Sequence, residues 1–104
     1  MELKLTAPML ASIHHIVNGA SPKGRSEVRN QARLLRAIKA HLPEGKNAFE
    51  DGAVEIDEDR QRYLRELIDK ALNKGDYPGL FVVGLDDFLE VFDEARESEK
   101  KDAK

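Results

Sequence analysis

Cysteine and tryptophan are absent from this chain of 104 residues, and only six residues are aromatic. Without cysteine there is no disulfide and no thiolate ligand for a metal, so neither a disulfide-stapled secreted scaffold nor a zinc ribbon is open to it. The scarcity of aromatics removes the stacking platforms on which single-stranded nucleic acids are held. Long apolar runs are also missing. The longest candidate, Gly79 to Leu85, falls well short of the roughly 20 residues that span a bilayer. No basic, apolar, small-residue leader opens the sequence, so the expected compartment is the cytoplasm, with no membrane partner.

What the chain does have is charge, and the charge is segregated. Residues 1–46 carry eight Lys/Arg against three Asp/Glu, while residues 47–104 carry nine against seventeen, so a net −3 conceals a cationic half and an anionic half. Such a division serves internal pairing, head-to-tail association of copies, or a cationic surface offered to an anionic partner. With 36% charged and 40% apolar residues, the composition suits slim helices with wide solvated faces around one modest core.

Periodicity predicts a mainly α fold of about four helices in a compact single domain over residues 1–97, with a short two-stranded β ribbon and a disordered tail over residues 98–104. Leu3 and Leu5 alternate with polar neighbours as in a short half-buried strand, and Val54 and Ile56 repeat the pattern, which makes them a candidate partner. Thr6 can cap a first helix over residues 7–18 that carries Leu10, Ile13 and Val17, with Gly19 closing it. Ser26 can cap a second over residues 27–41, with Val28, Leu35, Ile38 and Leu42 on one face and Pro43 beyond its end.

The loop from Glu44 to Gly52 holds a lone Phe49 suited to tacking it onto the core. Leu64, Leu67, Ile68, Ala71 and Leu72 follow the i, i+3, i+4, i+7, i+8 spacing of a third helix over residues 58–74. Asp57, Glu58 and Asp59 lie at its start, Lys70 and Lys74 near its end, and Gly75 fits its C-cap. Leu80 to Val83 reads as a short buried run. Asp86 and Asp87 can open a fourth helix with Phe88, Leu89, Val91, Phe92 and Ala95 on one face, and Phe88, Leu89 and Phe92 are expected to join the core.

Two surfaces stand out as candidate binding sites. On the second helix Arg25, Arg29, Arg33, Arg36 and Lys39 fall within an arc of roughly 120°, a cationic rail suited to phosphates. The plainer reading is that these cations pair with acidic faces of the same molecule or stay solvated. On the fourth helix Phe88, Val91 and Phe92 form a face wide enough to dock a partner. A helix-turn-helix does not fit, because Gly19 as the turn glycine places His15 where a small residue is needed and Arg25 where an apolar one is.

No catalytic constellation emerges. His14 and His15 are adjacent and point about 100° apart, His41 stands alone, and none has zinc-ligand spacing, so no metal is expected. The acidic stretches lack the alternating ligands and central glycine of an EF-hand. Gly75, Gly79 and Gly84 form no dinucleotide fingerprint, no nucleophile has a base beside it, and no cofactor is expected.

The order of these elements is similar to that of small phage- or prophage-encoded helical proteins. It runs from Leu3-Lys4-Leu5-Thr6 into a helix, then Arg29-Asn30-Gln31-Ala32-Arg33-Leu34-Leu35, a returning Val54-Glu55-Ile56 and an acidic C-terminal helix. The resemblance implies a non-enzymatic assembly or regulatory adaptor that binds other proteins or its own copies, with homo-oligomerisation expected. Nucleic-acid binding through the rail is the alternative.

Overall fold

The alternation of Leu3 and Leu5 forms a strand because both side chains reach a core that spans the whole chain. The computed structural model describes residues 1–75 and 77–102, with side chains as far as Ser98. The order is β1 (Glu2–Leu5), α1 (Ala7–Asn18), α2 (Gly24–Lys39), β2 (Gly52–Glu55), α3 (Glu58–Lys74), a 3-10 turn (Gly79–Phe81) and α4 (Val82–Asp102). The strands pair antiparallel with Leu3 opposite Val54 and Leu5 opposite Gly52. Leu3, Leu5, Val54 and Ile56 line the core with residues from all four helices, in one continuous cluster. The fold is mainly α with a short ribbon. Its radius of gyration, 13.4 Å, is close to the roughly 13 Å of a compact chain of this length.

Capping explains the boundaries. Thr6 occupies the N-cap of α1 without a side-chain hydrogen bond; instead Asp51 reaches across from the loop and its Oδ1 accepts from the Ala7 amide at 2.8 Å. One of the helix's orphan donors is thus satisfied by a distant acid, which also ties the loop before β2 to the start of α1. Asp57 caps α3 locally, accepting from the Arg60 amide at 3.0 Å, and Gly75 ends that helix in the left-handed region at φ 75°. Phe49 tacks its loop against the core beside His14, the ring centroids 5.4 Å apart.

Three helices differ from the expectation. α2 begins at Gly24 rather than after Ser26, which lies within its first turn. Its buried residues are Leu34 and Ile38; Leu35 is only partly buried, and Val28 is half exposed at 50%. The cause is Gln31, whose Nε2 donates to the carbonyls of Val17 at 2.9 Å and Ala20 at 3.0 Å. One side-chain amide thus binds the last-turn Val17 carbonyl, which also accepts from the Ala20 amide, and the Ala20 carbonyl just past the helix, and this turns a polar residue inward and rotates α2 away from the purely apolar stripe. On α3, Leu67 is partly buried, while Leu72, expected in the core, is exposed at 45%.

α4 begins at Val82, one turn before the Asp86 expected to open it, and continues through Asp102, past the Ser98 at which the tail was placed. Ala103 and Lys104 lie outside the described residues. Gly84 sets the position of this helix against α1. A Cβ built on Gly84 would collide with the Pro8 carbonyl and the Ser12 hydroxyl, so the two helices approach with backbone against backbone. The buried Ser12 hydroxyl lies 2.9 Å from both the Pro8 and the Phe81 carbonyls. Tyr77 adds a long hydrogen bond from its hydroxyl to the Ser12 carbonyl at 3.4 Å.

Gly84→Ala is expected to lower stability by about 2 kcal/mol, because overpacking outweighs the gain in helix propensity. Ser12→Ala is expected to cost about 1 kcal/mol by removing the shorter of the two hydrogen bonds to the Phe81 carbonyl, which keeps only the long one from the Tyr77 hydroxyl at 3.5 Å. Urea unfolding followed by far-UV circular dichroism measures both; a Gly84→Ala variant as stable as the wild type would show that the crossing is loose.

Candidate interaction site

The face of α4 singled out by its sequence is used up inside the molecule. Phe88 and Phe92 are buried in the core with their rings 5.5 Å apart, and Val91 is half-buried against the same cluster. Phe88 and Phe92 therefore offer no face to a partner, and Val91 only part of its side chain. With Gly84, Leu85, Phe88 and Phe92 turned inward, the 100° step of an α-helix carries Val82 and Val83 out to the opposite side.

The exposed apolar surface lies one turn earlier. Leu80 is 86% exposed, Val83 73% and Val82 49%. The expectation that Leu80 to Val83 is buried fails for these three residues. Only Phe81 is partly covered, its ring stacked at 4.8 Å on His15, which also meets the edge of Tyr77 at 5.8 Å. The result is a knuckle: a 3-10 turn and the first turn of a helix, anchored from beneath by Ser12 and Gly84, with three aliphatic side chains facing outward. Asp86 and Asp87, both exposed, follow it directly.

Beside the knuckle lies an open cleft of about 630 Å³ between the C-terminal ends of α1 and α3 and the Tyr77-Pro78 segment. Ile16, Ala20, Leu67 and Ala71 contribute apolar surface to it, and Lys70 and Lys74 contribute cationic side chains. An apolar floor with ammonium groups at its edge suits an aliphatic segment flanked by carboxylates.

The cationic rail faces water along its whole length. Arg25, Arg29, Arg33, Arg36 and Lys39 are all exposed, and among the described residues none forms an ion pair within 4.0 Å. Of the two outcomes in the plainer reading, these five side chains take the solvated one; among the described residues none pairs with the acidic helices. The side-chain ion pairs fall elsewhere: Arg60 with Asp57, Lys46 with Glu50, and Arg65 with Asp93, the last joining α3 to α4. Because Gln31 rotates α2, the rail lies opposite the buried Leu34 and Ile38 rather than beside the apolar stripe.

The three histidines occupy separate environments. His15 stacks on Phe81, the His41 Nε2 donates to the Ala53 carbonyl at 2.9 Å, and His14 lies beside Phe49 with a buried Nε2 that has no partner. Burial, followed by the positive charge of Lys39 and then His15, holds the His14 pKa below its ordinary value. Tyr63 has the second buried polar atom without a partner, its hydroxyl.

No helix among the described residues is long and apolar enough to cross a membrane. Comparison with known proteins gives no relative: no family model, no curated protein and no solved structure matches the chain.

His14 gives the fold a pH dependence with a definite sign. A base whose pKa is lowered by folding is neutral in the native state and protonates more readily when unfolded. Its contribution to stability is complete above the ordinary histidine value of 6.5 and is lost as pH falls from there through the lowered native value. The urea midpoint should drop between pH 7.5 and pH 5, and His14→Gln should reduce that drop; an equal drop in the variant would assign the effect to other groups.

Proposed function

We propose that this chain is a non-enzymatic protein–protein interaction module that pairs with a second copy of itself through the knuckle at Leu80, Val82 and Val83. The observation that carries the reading is the exposure of three aliphatic side chains within four residues, Leu80 at 86%, Val82 at 49% and Val83 at 73%, on an element anchored by Ser12 and Gly84. A soluble surface rarely presents clustered aliphatic groups without a use, and apolar clusters rimmed by charge mark docking sites.

Charge supports a second copy as the occupant. The knuckle leads into Asp86 and Asp87, and among the described residues the adjoining cleft is lined by Lys70 and Lys74 against a single acid, Glu27, together with Ile16, Ala20, Leu67 and Ala71. A two-fold axis would place each knuckle in the partner's cleft and each acidic pair near the partner's lysines, which is the reciprocal geometry of an isologous dimer. The apolar contact supplies affinity and the charges supply register. A cytoplasmic assembly adaptor of the small phage-encoded type accords with this reading, as the order of elements implied.

The unpaired rail favours a second reading, a nucleic-acid-binding module using Arg25, Arg29, Arg33, Arg36 and Lys39 as phosphate contacts. The overall acidity of the chain and the lack of aromatics along the rail weigh against it.

Light scattering after size exclusion, at low and at high salt, tests the first reading. The wild type is expected as a dimer that persists at high salt, and Leu80→Asp or Val83→Asp as a folded monomer. A wild-type monomer at every concentration, or a dimer unaffected by both substitutions, would refute it. For the second reading, binding to a single-stranded oligonucleotide should weaken steeply with salt. Lys39→Gln should reduce the log–log slope by about 0.7, the value of one phosphate contact on a single strand. Absence of binding at low salt would dismiss it.

A further inference from the structure

The walls of a second cleft, of about 550 Å³, come from the N-terminal halves of α2 and α3. Arg25, Arg29 and Arg33, spaced i, i+4 and i+8, project from one wall with Ser26 and Asn30, and Arg62 stands on the other. Arg36 and Lys39, the rest of the rail, lie outside it. The first turn of α2 also lines the cleft, through Arg25, Ser26 and Glu27, so the positive end of that helix lies at the same wall as the arginines.

An independent observation comes from Tyr63, which also lines the cleft. The residue is only 6% exposed, and its hydroxyl is buried without a hydrogen-bond partner. A buried hydroxyl left unsatisfied costs about 1–3 kcal/mol, so its retention calls for an explanation. Burial, and after it the charge of Glu27, raises the phenol's pKa, so the group stays protonated and is available as a donor.

The acids around the cleft narrow the class of ligand. Asp57 is committed to Arg60 and to the Arg60 amide, and Glu27 accepts from the Lys23 amide at 3.3 Å. Asp59 and Glu66 remain on the α3 side. With nearly balanced charge, the cleft has no long-range pull on a polyanion; its donors are concentrated along the α2 wall and at Tyr63. Guanidinium groups in such a row match the oxygens of a phosphoryl group better than ammonium groups would, because each presents a planar fork of donors.

We propose that the α2–α3 cleft binds a small phosphate-bearing ligand, with Arg25, Arg29 and Arg33 donating to its oxygens and the Tyr63 hydroxyl completing the set. This is independent of the knuckle and concerns only the part of the rail that faces α3.

The test is a titration of the ¹⁵N-labelled protein with pyrophosphate, followed by amide chemical shifts. Saturable changes confined to residues 25–33 and 59–66 are expected. Tyr63→Phe, which removes only an unsatisfied hydroxyl and should fold normally by circular dichroism, should weaken binding about tenfold, the equivalent of one hydrogen bond to a charged group. Arg29→Gln should weaken it as well, while Lys46→Gln, a loss of charge elsewhere, should not. Three outcomes would overturn the proposal: changes spread without saturation over all exposed basic residues, a Tyr63→Phe titration that overlays the wild type, or an oligonucleotide that binds more tightly per phosphate than pyrophosphate.

Discussion

The close crossing of α1 and α4 at Gly84 is the contact on which the rest of the arrangement depends. The Pro8 carbonyl and the Ser12 hydroxyl occupy the space that any side chain at position 84 would need, and Ser12 ties the Phe81 carbonyl to the same point. Fixing one residue of a helix fixes the direction of all the others. With Gly84 inward, Leu85, Phe88 and Phe92 fall into the core, and Val82 and Val83 are carried away from it. Burial of two phenylalanines and exposure of the knuckle are therefore consequences of one geometry. The polar bond network at Ser12 makes that geometry specific, since slippage along α1 would break the buried bond between the Ser12 hydroxyl and the Phe81 carbonyl.

A comparable logic governs α2. Gln31 directs its amide to the Val17 and Ala20 carbonyls where the chain leaves α1, and Leu34 and Ile38 lie in the core beside it. The five cations of the rail are then on the far side, with the nearest acidic helix α3 rather than α4. Across the α2–α3 cleft, opposite charges face one another without direct pairing among the described residues. In water this arrangement is inexpensive, because exposed ion pairs contribute little and exposed guanidinium groups are well solvated. Charge segregation along the chain thus becomes a separation of surfaces: a cationic outer face on α2, and an acidic outer face on α4 that flanks the knuckle.

The parts of the fold readable from sequence were those whose signals are local. α1 and α3 end where their caps and glycines indicate, and Leu10, Ile13, Val17, Leu64 and Ile68 are buried as their spacing requires. The ribbon was legible from alternation at Leu3, Leu5 and Val54. The misreadings share a cause: a polar or glycine residue whose role is tertiary. Gln31 appeared as one more polar position near the rail, yet it sets the rotation of α2, exposes Val28 and buries Leu34. Gly84 stands out in the sequence only as one of three glycines without a dinucleotide fingerprint, yet it sets the rotation of α4. Apolar periodicity placed Phe88 and Phe92 in the core, where they lie, but also on a docking face, which they do not offer, and it placed Leu80 to Val83 in the interior, where Leu80, Val82 and Val83 are exposed. The rail residues were legible as a group because exposure of arginine is the rule. The cleft around Tyr63 was not, because it brings together two helices separated by a strand and a loop.

The central claim is that the knuckle of one copy occupies the cleft of another. The most direct measurement is isotope-filtered NMR on a mixture of labelled and unlabelled protein. The account predicts intermolecular nuclear Overhauser effects between the methyl groups of Leu80, Val82 and Val83 in one copy and those of Ile16, Ala20, Leu67 and Ala71 in the other. A dimeric sample in which these contacts are absent, or a sample that stays monomeric at millimolar concentration, would contradict it.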